Sequence, residues 1–421
     1  MALTRSSNTS TPPRTQDKVF TAGSKIHVVI LSHLVLEIYQ AFLSPLLPSL
    51  INKLGLTLVL AGLLATILNV SGAILQPLFG AYVDRSPLAR FIMWGPLVGV
   101  AAASLLGLAP NFLVAAVLMV LSGLACAAYH PEATAAVHHA TNRGRGLAMS
   151  LYMAGGTLGW AIGPLFILAI VNRLGLEYSY LAMIPGVLAT AYIWRAGPRR
   201  IDNPLNGNGS TGAADHGVTP KSHFRLADLK VNGRALFTLW LIVVLNGTVT
   251  QSFATFLPVY WTENGIPSMM TGVWLMIMSL CSASGGILIA MLSDRLGRRG
   301  VLAAGLILAA PFLLLFFAFQ GTLSWLGLFA GWFILGGVSP ITVVTGQELN
   351  KSGAAMTAGL MMGFGWAGGG LMVTAVGALA DHIGTGPALR SLLVLPVAAA
   401  ALAYLMPKRP ISSLLEARAL T

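Results

Sequence analysis

The chain has 421 residues, of which 56% are hydrophobic and only 9% charged, with 47 glycines and a formal net charge of +12. So little charge does not cover a soluble protein of this length, and apolar stretches of roughly 20 residues recur from residue 26 to residue 406, which marks a polytopic helical membrane protein. The basic residues are dispersed between these runs instead of gathered on one face, which argues against a nucleic-acid partner; Cys126 and Cys281 lie inside apolar runs with no disulfide or zinc spacing.

Residues 1–25 are polar and mixed in charge, lack the basic-then-apolar layout of a cleaved signal, and read as a cytosolic N-terminal tail. Hydrophobic runs set against Pro, Gly and charge breaks then give twelve spans: 26–50, 58–82, 90–109, 111–134, 147–172, 177–196, 236–261, 269–292, 300–320, 323–346, 356–380 and 388–406. Of the 25 lysines and arginines, only Lys53, Arg173 and Arg390 fall in one set of loops. Short basic loops stay in the cytoplasm, so both termini are expected there, in a multi-pass protein of the cell inner (plasma) membrane.

The first span carries "LSHLVLEIYQ" (31–40), in which Glu37 is the only acid. It lies roughly 16 Å deep at 1.5 Å per residue, where a charged carboxylate costs on the order of 2.5–3.5 kcal/mol. Such a group persists where it meets water, a partner or a proton. His33 lies one turn before it and Gln40 about one turn after, forming a polar stripe. Burial disfavours the charged form, so Glu37, with His33, is the candidate proton-coupling group. A structural hydrogen bond between spans is the other reading.

"GAYVDRSPLAR" (80–90) follows span two and holds Asp84, Arg85 and Arg90. A carboxylate favours a helix N-terminus, which suits a gate; topology-setting by positive charge accounts for the arginines but not for the acid. "YHPEA" (129–133) lies near the cytosolic end of span four. Pro131 removes a backbone donor and is expected to kink the helix, letting His130 and Glu132 line the inner end of a cavity. Glu132 either reaches the interface and pairs with Arg143 or Arg145, or serves as gate or proton relay. H-x-E without a downstream P-C-x-x-C is no deaminase site, and a metal site from His130, Glu132, His138 and His139 is disfavoured because two of these sit in the loop. In span five, "GGTLGWAIGPL" (155–165) sets Gly155, Gly159 and Gly163 on one helical face ahead of Pro164, a pattern that lets two helices approach closely.

Residues 197–235, rich in Gly, Asn, Ser and basic residues, hold too few apolar groups to fold alone and read as a cytosolic linker. Span seven contains "LNGTVTQSF" (245–253), whose Asn246 and Gln251 join Gln40 and Trp366 as substrate-cavity candidates. "AMLSDRLGRR" (290–299) after span eight repeats the Asp-Arg pair as Asp294 and Arg295. The same offset relates Pro48 to Pro258 and Gly55 to Gly265 and, with a one-residue slip, Pro131 to Pro340 and Gly159 to Gly368. The chain therefore divides into two diverged copies, a six-helix half at 26–196 and another at 236–406, before a cytosolic tail at 407–421. Each copy has an even number of spans, so both share one orientation.

The doubled D-R-x-x-x-R loops and the 6+6 layout resemble the major facilitator superfamily over residues 26–406. Within it, "LSHLVLEIYQ", "ILQPLFGAYVD" (74–84), "YHPEA" and "GGTLGWAIGPL" together resemble the fosmidomycin-resistance family of drug/proton antiporters, a closer match that lies mainly in the N-terminal half. The resemblance implies an all-α membrane protein with twelve transmembrane helices, arranged as two six-helix pseudo-repeats around a central cavity. It also implies that the acid of the paired loops contacts the start of a helix in the other half and locks the outward-facing state, that an acid in the first helix carries protons, and that the fifth-helix motif opposes leakage. The glycine pair of that last motif is replaced here by Leu165 and Phe166.

The expected function is a proton-coupled secondary transporter exporting a small molecule, a drug or metabolite that includes phosphonate antibiotics such as fosmidomycin, by alternating access. An importer of an organic anion or sugar is the alternative on the same fold. An enzyme is disfavoured, because the chain has no G-x-S-x-G and no P-loop, and a channel is disfavoured by the duplicated gating loops. No cofactor and no metal are expected, and the partners are the substrate, protons and membrane lipid, with the chain acting as a monomer.

Overall fold

The computed structural model describes residues 25–83, 88–140, 145–199, 226–350 and 354–406. The described residues are helical throughout, without a β-strand. The first half contains α1 (Ile26–Leu54), α2 (Leu58–Val83), α3 (Phe91–Leu108), α4 (Phe112–His138) and α5 (Leu147–Leu174), and the second contains α7 (Asn232–Glu263), α8 (Ser268–Leu296), α9 (Arg298–Ala318), α10 (Thr322–Leu349), α11 (Thr357–Ile383) and α12 (Thr385–Leu405). These 11 are long and apolar enough to cross a membrane. The sixth expected span is built in two pieces, a 3-10 run over Leu176–Ala182 leading into α6 (Met183–Ala196). At roughly 2.0 and 1.5 Å rise per residue the pieces together cover about 35 Å, so the sixth crossing is made without one long α-helix.

Local sequence explains the helix ends and breaks. α1 is interrupted at Ala41 and Phe42, between Ile26–Gln40 and Leu43–Leu54. Pro45 has no N–H to offer the carbonyl four residues back, so the chain tightens there, with Phe42 N–H donating to the Tyr39 carbonyl at 3.2 Å. At the far end of α1, Gly55 adopts φ +61°, which an L side chain rarely adopts, and Leu56 N–H donates to the Ile51 carbonyl at 3.1 Å. α7 ends the same way: Gly265 has φ +75° and Ile266 N–H donates to the Trp261 carbonyl at 2.9 Å. The sequence pairing of Gly55 with Gly265 is thus one cap built twice. The segment before α7 is helical from Leu226, with a break at Asn232, whose Nδ2 donates to the Leu349 carbonyl at 2.6 Å.

Close packing inside each half uses glycine where backbones touch. A Cβ on Gly159 of α5 would sit 2.7 Å from both the Glu37 Cβ and the Leu34 carbonyl of α1. Gly155 and Gly163 face Ile30 and Ile38 of the same helix. In the second half Gly368 of α11 faces Val244 of α7, so the sequence pairing of Gly159 with Gly368 also corresponds to equivalent packing.

The halves meet along α2 with α11 and α5 with α8. On the side away from the termini, the backbone N–H groups of Leu58 and Val59, at the start of α2, donate to the Asp381 carboxylate of α11 at 2.7 and 2.9 Å. Ser268 of α8 donates to Asn172 of α5 at 2.7 Å, and Thr66 of α2 pairs with Thr374 of α11 at 2.8 Å. Toward the terminal side, Leu147 and Leu151 of α5 and Ile287, Leu288 and Met291 of α8 are exposed. The bonds named here that join the two halves lie in the far part of the seam.

Candidate functional site

A buried polar cluster is assembled from α1, α4 and α5. Glu37 and His33 are buried, one turn apart on α1, as their spacing requires. His130 of α4 joins them: its Nε2 stands 3.1 Å from Glu37 Oε1, and His33 Nε2 stands 3.5 Å from the same oxygen. His130 therefore belongs to the deep cluster and not to the inner mouth where its span position had put it. Trp160 of α5 donates its indole N–H to Glu37 Oε2 at 2.5 Å.

The tautomers follow from the acceptors. His33 Nδ1 lies 2.8 Å from the Tyr152 carbonyl and His130 Nδ1 lies 2.9 Å from the Cys126 carbonyl. A carbonyl oxygen only accepts, so both Nδ1 atoms carry hydrogen and both Nε2 atoms aim at Glu37 Oε1. Three lone-pair atoms thus face one another, and the arrangement is repulsive until at least one proton or another cation sits among them. His33 is held flat by Tyr152, stacked at 4.0 Å between ring centroids, while the phenol of Tyr129 pairs with Ser32 at 2.7 Å. The His130 side chain is the wettest of the three, with 25% of it accessible against 5% and 8% for His33 and Glu37.

Glu132, one turn away from neither of these groups, does different work. It is fully buried, and its two oxygens accept from the backbone N–H groups of Ile92 at 2.7 Å and Arg90 at 3.1 Å. It therefore caps the N-terminus of α3, satisfying donors that no helical carbonyl reaches. Of the two arginines expected to pair with it, Arg143 lies outside the described residues, as does the side chain of Arg145; the described partners of the carboxylate are main-chain groups. α4 runs on through Pro131, and Thr134 Oγ1 donates to the His130 carbonyl at 2.8 Å.

Of the paired loops, Asp84 and Arg85 lie outside the described residues. Arg90 donates from its guanidinium to Tyr82 Oη at 3.2 Å. Asp294 is paired with Arg298 at 3.1 Å, and Arg298 also makes a two-pronged contact with Glu348 at 2.8 and 2.9 Å. These partners belong to the same half, and Arg295 is exposed.

The cavity candidates are dispersed. Gln40 is spent holding α4, donating to the Ser122 carbonyl at 2.7 Å. Gln251 donates to the Trp366 carbonyl at 2.8 Å, which leaves its Oε1 buried and without a partner, like Asn246 Oδ1. Trp366 is 44% exposed. A cavity of about 330 Å³ lies near the far end of the seam, lined by Asn52, Thr57, Glu263 and Asp381 among others. Trp160 and Asp381 were not among the sequence candidates. Trp160 adjoins Gly159, whose contact with α1 would have pointed to it; Asp381 meets only backbone groups, which leave no sequence signal.

The chain matches the family model described as Major Facilitator Superfamily over residues 29–349. It is 28% identical over 401 residues to the uncharacterized MFS-type transporter YfnC of Bacillus subtilis (strain 168), covering 94% of this chain and 95% of that one. It is 24% identical over 373 residues to the Fosmidomycin resistance protein of Escherichia coli (strain K12), covering 87% and 88%. Among solved structures, a bacterial homolog of the human lysosomal transporter Spinster, inward-facing and unoccupied, superposes with a TM-score of 0.76 at 16% identity over 90% of this chain and 96% of that one. The nucleoside transporter NupG superposes with a TM-score of 0.72 at 13% identity over 91% and 99%.

Proposed function

The chain belongs to the Major Facilitator Superfamily, and from that premise we propose that it is a proton-coupled secondary transporter of the inner membrane that exports a small molecule by alternating access. The observation that carries the coupling is the convergence of His33 Nε2, Glu37 Oε1 and His130 Nε2, which accommodates protons but not three bare lone pairs. His130, the wettest member, is where a proton enters or leaves on the open side. Glu37 is the group that stores it, with the Trp160 indole holding its other oxygen.

On the positive-inside reading the termini lie in the cytoplasm, and the side of the seam held by Asp381 faces away from it. In that state substrate binds from the cytosol while the contacts around Asp381 seal the far side; release requires those contacts to break and the terminal side to close. Export, and a drug or phosphonate as cargo, is favoured by the likeness to the Fosmidomycin resistance protein.

The test pairs susceptibility with flux. The chain is produced in a drug-sensitive bacterial host and challenged with a compound panel that includes phosphonate antibiotics. Everted vesicles are then assayed for gradient-driven accumulation of any compound that scores. Protection together with accumulation that collapses with the proton gradient supports the reading. Improved growth on an organic anion or sugar, without protection, replaces export by import.

A further inference from the structure

We propose that His33, Glu37 and His130 also form a binding site for a divalent transition-metal ion of the zinc class. The inference rests on the geometry of the three side chains and not on proton coupling.

Their ligand atoms, two imidazole Nε2 and one carboxylate oxygen, all lie within 4.8 Å of one another. Bonds of about 2.0–2.1 Å at tetrahedral angles place neighbouring ligands about 3.3 Å apart. The two histidine-to-carboxylate separations, 3.1 and 3.5 Å, bracket that value. The third separation, between the two Nε2 atoms, is within 4.8 Å, and an ion seated among the three would draw the two rings together toward the tetrahedral spacing.

The supporting contacts are those such a site requires. A metal-binding imidazole presents one bare nitrogen while its other N–H donates to an acceptor that fixes tautomer and ring orientation. Here both rings do so against main-chain carbonyls, His33 to Tyr152 and His130 to Cys126. The second carboxylate oxygen of Glu37 is occupied by the Trp160 N–H, which leaves Oε1 directed at the two rings. Every polar atom that faces away from the common centre therefore has its own partner. Two nitrogen donors exclude hard cations that prefer oxygen, such as Mg²⁺, and suit Zn²⁺, Co²⁺ or Ni²⁺. The site has access as well, since a quarter of the His130 side chain is accessible, which gives water or a substrate donor the fourth position. Protons and the metal ion fill the same space and compete for it.

The test uses the full chain, purified without a histidine tag and held in lipid nanodiscs. Co²⁺ is titrated and its visible absorption recorded, followed by displacement with Zn²⁺. One saturable site with the absorption of a low-coordinate Co²⁺ ion is expected, displaced by Zn²⁺ and not by Mg²⁺. Loss of a supporting contact to a ligand costs about 10–100-fold in affinity, so loss of a ligand, His33→Ala or His130→Ala, is expected to weaken binding by at least about 100-fold. His382→Ala, at the exposed end of α11, leaves it unchanged. His130→Gln serves as the second variant, and a monodisperse elution profile certifies folding for each. Absence of saturable binding in the wild-type chain, or wild-type affinity in either folded His130 variant, overturns the proposal. Binding is read without substrate or gradient, so that outcome leaves proton coupling standing, and loss of coupling in transport leaves the metal site standing.

Discussion

Glu37 of α1 and His130 of α4 are joined at 3.1 Å, carboxylate oxygen to imidazole nitrogen, inside the membrane span. Replacing the acid by its uncharged isostere keeps the volume and removes the group that accepts a proton. Glu37→Gln is therefore expected to lower gradient-driven transport by more than about tenfold, a barrier change above about 1.4 kcal/mol. Exchange of substrate for substrate, which needs no net proton movement, persists. Vesicle assays of both modes in one preparation check this. Gradient-driven transport at wild-type rate rules Glu37 out as the coupling group.

Glu132 is expected to act on stability. Removing its carboxylate leaves the buried N–H groups of Arg90 and Ile92 without an acceptor, at a cost of about 1–3 kcal/mol for each group left unpaired. Glu132→Ala should melt at a clearly lower temperature than the wild type, with Glu132→Gln between the two because its amide oxygen still accepts one bond. Detergent-solubilised melting curves decide it. Wild-type melting for the alanine variant, with altered pH dependence of transport, would restore the relay reading.

Asp381 is expected to act as a latch of the far side. Its two bonds to the first N–H groups of α2 exist only while the halves touch there. An N-terminal cap of this kind is worth about 1 kcal/mol, so Asp381→Ala should move the equilibrium between the two facing states roughly fivefold toward the one open on that side. Spin-label distances across the far end of α2 and α11 report the shift directly. An unchanged distance distribution means that the apolar contacts of the seam hold the state alone.

The glycine face of α5 makes a steric prediction. Gly159→Val would drive a side chain into the Leu34 carbonyl and the Glu37 Cβ, displacing α1 and the cluster it carries. Overpacking of this kind costs about 1–3 kcal/mol or more. Gly300→Ala, where the added carbon meets nothing within 4 Å, should be neutral or slightly stabilising. Expression yield and transport of the two variants, measured together, separate contact from mere loss of glycine.

Much of the fold was legible because membrane helices advertise themselves by length and apolarity, and because the two halves repeat their punctuation. Gly55 and Gly265 were paired by offset alone, and each proves to close its helix with a positive φ and an equivalent carbonyl bond. The sixth span was legible as apolar sequence but not as two helix types, since 3-10 and α runs share a composition. The burial of Glu37 followed from its isolation in an apolar run.

His130 was misplaced for a geometric reason. Its depth was counted from the far end of α4, while that of Glu37 was counted from the terminal end of α1. Counted from the same side, Glu37 lies roughly 16 Å from Ile26 and His130 roughly 12 Å from His138, and the two imidazole and carboxylate arms close the difference. The partners of Glu132 and Asp381, and the carbonyls that meet both histidine Nδ1 atoms, are main-chain groups. No residue type encodes a backbone carbonyl or N–H, so these contacts had no signature to read.

That last point bears on how the cluster responds to mutation. The hydrogens on the outer nitrogens of His33 and His130 are pinned by the carbonyls of Tyr152 and Cys126, atoms that every residue type supplies. Substituting Cys126 or Tyr152 changes what surrounds the rings but leaves those two acceptors in place. The direction of the inner nitrogens is thus set in part by helix geometry, with the Tyr152 ring and the Cys126 thiol adding side-chain contacts to it. A change of side chain at either position therefore leaves one of the two constraints on each ring in place.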